Sequence, residues 1–355
     1  MLKKKKTIIA LSLIPQILIV RLLSQYPEFI ERYYSNGLYE WLSKVFRFVL
    51  GWLPFSFGDV LYIFMIVYLI RWLVKNRRRL RNDTKNWLLD VLSTSALFYF
   101  AFHLFWGLNY YRLPLHKSLK LDHEYTTDQL IELTEKLIKK SNTLHTSLAS
   151  NDSLPVTFPY SKNDIFKMTS NGYEHLKAIF PNLEYHPKSI KKSLISYPLS
   201  YMGYSGYLNP LTNEAHVNGL LPTYRFPTTS AHEIAHQLGY AAENEANFIG
   251  FLASIKNDNA YINYSGYTFG LSYCLNEVYR RDEALYETML ESVNKGILKN
   301  SEEVRRFYEA FENPAEPFFK LFMDNFLKAN NQSKGMQSYS YVVALLVNYF
   351  EKENL

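Results

Sequence analysis

The chain has 355 residues, of which 48% are hydrophobic and 16% aromatic, with a net charge of +6; that length supports more than one folding unit and a sizeable core. Its single cysteine, Cys274, excludes an intramolecular disulfide and a thiolate-based metal site, so any metal centre has to be built from His and carboxylate. The positive charge gathers in two runs beside apolar segments, Lys3 to Lys6 and Lys75 to Lys85, which reads as the basic flanks of membrane helices and argues against a nucleic-acid partner.

In chain order, three segments are apolar enough for the bilayer, at about 7–24, 57–74 and 87–108; a span needs ~20 mostly apolar residues. The first follows four lysines and lacks a small-x-small cleavage site, so it is expected to remain as an anchor. The aromatic stretch Trp41 to Phe55 is broken by Pro54 and reads as interfacial. The basic runs keep the N-terminus and the loop between the second and third segments in the cytoplasm, so three crossings place everything after Leu108 outside it. The expected division is a membrane region, 1–111, and an extracytoplasmic domain, 112–355.

Within that domain, 126–149 is predicted helical, with Thr127 as a cap and Leu130, Leu133 and Leu137 at helical spacing. A second helix is predicted over 163–179, stopped by Pro181. Short segments at 190–197, 204–208 and 214–218 are rich in Tyr, Ile and Val and separated by Gly, Pro and Asn, the pattern of a small sheet. Helices are then predicted at about 229–238, 243–256, 266–296, 301–328 and 337–352. The expected fold class is mainly α: N-terminal transmembrane helices followed by an α+β domain with a small sheet.

The chemistry concentrates in the run from Thr228 to Phe248. His232 and His236 are four apart, and on a helix residues i and i+4 share a face, so two imidazoles can grip one ion. Glu233, beside the first ligand, can accept a proton from bound water. Pro227, Thr228, Thr229 and Ser230 supply a helix start, and Gly239 a stop. A catalytic zinc takes three protein ligands and a water. Glu243 is the favoured third ligand, with Glu245 as the alternative, and one Zn2+ ion is the expected cofactor. Asn247, one turn after Glu243, is expected to hydrogen-bond a ligating His and orient it. His216, in the predicted sheet, is a further candidate ligand.

The sequence HEIAH followed by Glu243-x-Glu245-Ala246-Asn247 resembles the glutamate-type zincin metallopeptidases. The resemblance implies His232 and His236 as ligands, Glu233 as general base, Glu243 as the glutamate ligand, and Asn247 where these enzymes usually carry Asp. The gap between His236 and Glu243 is shorter than most such enzymes have. A metzincin assignment fails, because its third histidine would fall at Ala242. The chain as a whole also resembles an uncharacterised family of bacterial membrane proteins with three N-terminal spans. The run Trp106 to Arg112, the HExxH helix and the pair Ser338-Tyr339 carry that likeness.

The function expected from these readings is zinc-dependent hydrolysis of peptide bonds outside the cytoplasm by a protein anchored in the lipid bilayer, with a peptide or protein as substrate. His216, Tyr339, Tyr207 and Arg225 are candidate donors to the developing oxyanion. Residues 213–218 are expected to form an edge strand that pairs with an extended peptide. The alternatives are a zinc amidase acting on cell-envelope material and a membrane-tethered binding module with a structural zinc.

Overall fold

The computed structural model describes residues 2–332 and 341–355. Three helices near the N-terminus are long and apolar enough to cross a membrane: α1 (Lys4–Leu23), α2 (Phe57–Asn76) and α3 (Thr84–Phe105). Their apolar side chains stand bare, Ile63, Phe64, Ile66 and Val67 among them, and a contiguous surface of this kind needs lipid as its solvent. The protein is a membrane protein. A turn at Ser12 interrupts α1, because Pro15 has no N–H to donate to the carbonyl of Leu11. α2 starts at Ser56, whose hydroxyl accepts from the backbone of Asp59 at 2.9 Å.

The aromatic stretch between the first two spans is largely helical, over Tyr39–Leu50. One face of that helix buries Tyr39, Ser43 and Arg47, spaced by four residues, against the rest of the protein. The other exposes Trp41 and Phe48, and the exposed Trp52 follows the helix end.

The remainder is a mainly helical body with a small three-stranded sheet. α4 (Thr127–Leu148) and α5 (Lys162–Ile179) fall where the periodicity puts them, but Thr126, not Thr127, caps α4, in a reciprocal box with Gln129. The sheet has the order β1-β3-β2, from β1 (Ile190–Lys192), β2 (Gly206–Asn209) and β3 (Glu214–Val217). β3 runs parallel to β1 and antiparallel to β2. The strands are shorter than predicted, and Ser196–Tyr201 is a helical turn. The expectation that 213–218 forms an edge strand is corrected: β3 is central and both its edges are taken, and the edge strands are β1 and β2.

After the sheet come α6 (Phe226–Gln237), α7 (Glu243–Ile255) and α8 (Ala260–Arg281). The predicted helix over 266–296 is two helices, because Asp282 ends α8 and caps Glu283–Glu291 by accepting from Leu285 N at 2.9 Å. The predicted helix over 301–328 also divides, into α9 (Lys295–Glu309) and α10 (Glu316–Ala329), parted at Pro314, which pushes Asn313 out of helical geometry. α11 (Val342–Phe350) is buried along its whole length. The core is built from apolar side chains of α4, α6, α7, α8 and α11.

Candidate metal centre

The local sequence of α6 fixes its ends. Pro227 lies in the first turn, where a missing N–H costs nothing. At the other end Gly239 adopts φ +92°, Gly239 N donates to His236 O at 2.9 Å and Tyr240 N donates to Ala235 O at 3.1 Å. This pair of bonds is a Schellman motif, and it needs a left-handed residue that glycine supplies without strain. The chain reverses there, and α7 begins at Glu243. α7 can lie close against α6 because Gly250 faces the backbone of His232; a Cβ at that position would sit 2.9 Å from His232 N.

That crossing brings His232, His236 and Glu243 together. The two imidazole Nε2 atoms lie 3.3 and 3.6 Å from the same Glu243 oxygen, Oε2. One ligand atom from each residue falls within 4.8 Å of the others. Around a tetrahedral zinc with bonds of about 2 Å, ligand atoms are spaced by ~3.3 Å, so the donor set and its spacing fit this ion. His236 is held in the required orientation by a 2.7 Å hydrogen bond between its Nδ1 and Tyr240 O, which leaves Nε2 for the cluster.

The electrostatics are those of a buried cluster drawn tight by one carboxylate. Burial opposes the charge on His236, but Glu243 overcomes it and raises the imidazole to about 9. Burial alone would raise Glu243; the two imidazoles instead hold it well below the usual carboxylate range. His232 is pushed down by burial and by His236. Glu233 is 3% exposed, and burial lifts its carboxyl to about 8, with Glu243 adding to the rise and His236 opposing it. Among the described residues its buried Oε2 has no hydrogen-bond partner, and neither has His232 Nδ1. Gly206 of β2 lies against the same carboxylate, and any Cβ there would collide with it.

The cluster opens into a cleft of about 820 Å³. It is lined by residues of β2 and of α6, α7, α8, α9 and α10, with Tyr110 and Tyr273 close enough to feel the charge of Glu243. The remaining predicted site residues sort as follows. Glu245 does not join the cluster: it points away and accepts from Leu115 N at 2.7 Å. His216 is neither ligand nor donor at the cleft, because its Nε2 bonds Ser56 Oγ at 2.7 Å inside a sealed cluster with Glu214 and Lys191. Tyr207 lines the cleft, yet its hydroxyl donates to Asp59. Arg225 and Asn247 line the cleft. The expected bond from the Asn247 amide to His232 or His236 is not made, and its Nδ2 has no partner among the described residues. Tyr339 lies outside the described residues.

Sequence reasoning missed the structural use of the run after the third span. Trp106 Nε1 donates to His236 O at 3.1 Å, and Arg112 donates to Gly239 O at 2.9 Å while gripping Glu31 through two bonds of 2.7 and 2.8 Å. The signal was present as an unbroken aromatic and polar run directly after an apolar helix.

No curated protein and no solved structure matches the chain. The family described as "Protein of unknown function (DUF3810)" matches residues 34–347. That range includes two of the three spans, the sheet and every member of the cluster, so the chain belongs to the DUF3810 family.

Proposed function

We propose that the protein is a zinc metallopeptidase, anchored in the membrane with its cleft outside the cytoplasm. The observation that carries this reading is the convergence of His232, His236 and Glu243 beside Glu233 in an open cleft. Three protein ligands leave a position free, the arrangement of a catalytic rather than a structural zinc. Bound there, zinc would supply Lewis acidity and lower the pKa of its water.

The chain's own residues supply the rest. Glu233 Oε2, buried and without a hydrogen-bond partner among the described residues, would take the proton of the attacking water and return it to the leaving amine. The open edge of β2 borders the cleft at Gly206 and Tyr207, where an extended peptide can add as a further strand. Arg225, Tyr110 and Tyr273 line the cleft and are the donors available to a developing oxyanion. The orientation rests on the basic loop between α2 and α3, which favours the cytoplasm.

The test is metal analysis and peptide hydrolysis by the purified full chain. Glu233→Gln is expected to keep its zinc and lose about 10²- to 10⁴-fold in turnover. Undiminished turnover in that variant would refute the mechanism.

A further inference from the structure

α10 has two unlike faces. Glu316, Lys320, Met323 and Leu327 line the cleft. On the opposite side, Phe318, Leu321 and Phe322 are 67%, 59% and 61% exposed, at the i, i+3, i+4 spacing of one helix face. Three large apolar side chains bared together on one short helix are costly in water.

The position of α10 says what covers them. Phe326 packs edge-on against Phe102 with ring centroids 6.1 Å apart, and Phe102 lies one turn inside the end of the span α3. Across the cleft, Tyr207 stacks on Tyr62, which lies inside the span α2. The backbone of Leu194 donates to Asp59 in the first turn of that span at 2.7 Å, and Leu194 and Tyr197 are themselves exposed. Residues of α10 and of β2, both lining the cleft, therefore touch residues of the spans, which brings α10 to the end of α3. Its polar companions suit such a depth: Lys320 pairs with Glu316 at 2.6 Å and Lys328 with Asp324 at 2.7 Å, which leaves the apolar face free of unpaired charge.

We infer that α10 is an interfacial membrane helix, lying in the bilayer surface on Phe318, Leu321 and Phe322, and that it sets the mouth of the cleft at the lipid boundary. Resting on the peptidase reading, this makes membrane-tethered polypeptides the substrates that the cleft is placed to receive.

The test needs no turnover, so it stands apart from the peptidase reading. The full chain is reconstituted in nanodiscs of phosphatidylethanolamine and phosphatidylglycerol, and the native thiol, Cys274, is buried. Phe322→Cys, Phe318→Cys and, as reference, Lys140→Cys on α4 are labelled with an environment-sensitive fluorophore. Lipids carrying a nitroxide near the headgroup serve as quencher. Labels at 322 and 318 are expected to be quenched at least about twofold more than the label at 140. Quenching at both positions no stronger than at 140, in variants with unchanged circular dichroism, would overturn the inference. Should one aromatic variant fail to fold, the other decides.

Discussion

Glu243 and Glu245 are two residues apart, and a helix turns such neighbours about 200° away from each other, so only one can face α6. Glu243 meets the imidazoles; Glu245 turns back to hold Leu115 N. Their substitution should therefore separate binding from stability. Glu243→Ala is expected to weaken zinc affinity by more than about 100-fold, beyond what the loss of an outer-shell partner costs. Glu245→Ala should keep the metal and lose about 1–3 kcal/mol of stability, because it strands a buried N–H. Competition with a chromophoric chelator measures the first and thermal unfolding the second. Equal zinc affinity in the two variants would remove Glu243 from the site.

The same carboxylate sets the pH response of the metal-free protein. Glu243 raises His236 above its unfolded value of 6.5 to about 9. Its contribution is thus fully present below pH 6.5 and lost as pH rises through about 9. Glu233, raised from 4.5 to about 8, works in the same direction over its own range. Metal-free protein is therefore expected to lose Tm, on the order of 5 °C, between pH 6.5 and 9. Added zinc should stabilise more strongly at the higher pH, because its ligands must shed their protons to bind. Calorimetry with and without a chelator checks both signs, and a metal-free Tm that rises over this range would contradict the coupling.

At the scale of elements, the site is a crossing of α6 and α7 held by backbone bonds from outside. Gly250 allows the crossing, and Trp106 and Arg112 hold the α6 terminus at His236 O and Gly239 O. Gly250→Ala puts a methyl group 2.9 Å from His232 N, so the helices have to part. Zinc affinity is expected to fall by about 10–100-fold, as for lost support of a ligand, with the ligands themselves intact. Unchanged affinity in this variant would show that the crossing tolerates the shift.

What could be read in advance follows the same physics. The spans were legible because lipid demands long apolar runs, and the convergence of His232 and His236 because helical spacing fixes a shared face. Gly239 announced the end of α6 because its left-handed conformation is a property of one residue. The interruption at Asp282 was not legible: no Gly or Pro marks it, and the apolar pattern continues into Glu283–Glu291. Nor was the rank of β3 within the sheet, since strands of three or four residues carry no record of which neighbours they acquire. His216 stood as an alternative ligand because its sequence position says nothing of Ser56, 160 residues away, which takes its Nε2.

For the molecule as a whole, the parts of the chain before residue 112 are structural partners of the later helical body. Glu214 accepts from Gly58 N at 2.5 Å at the start of α2 and pairs with Lys191 at 2.5 Å, all of it sealed from solvent. Tyr39 donates to Gln237 O at 2.8 Å, and Ser43 to Asn213 at 2.8 Å. Arg112 is buried and pairs with the partly buried Glu31, so loss of Glu31 would leave a buried charge without its partner. Cutting the chain at residue 112 would remove Glu31, Tyr39, Ser43, Ser56 and Trp106 together, strand Lys191, Glu214 and His216 in a cavity, and uncover the Tyr207 face of the sheet. A fragment of residues 112–355 is therefore expected to aggregate or to stay expanded, while the full chain in detergent unfolds in one transition. Size-exclusion chromatography and hydrogen exchange on both would decide: a monomeric fragment that protects the amides of α6 as well as the full chain does would mean the spans are only an anchor, whereas protection lost throughout α6 would mean they are part of the scaffold that shapes the His232, His236 and Glu243 cluster.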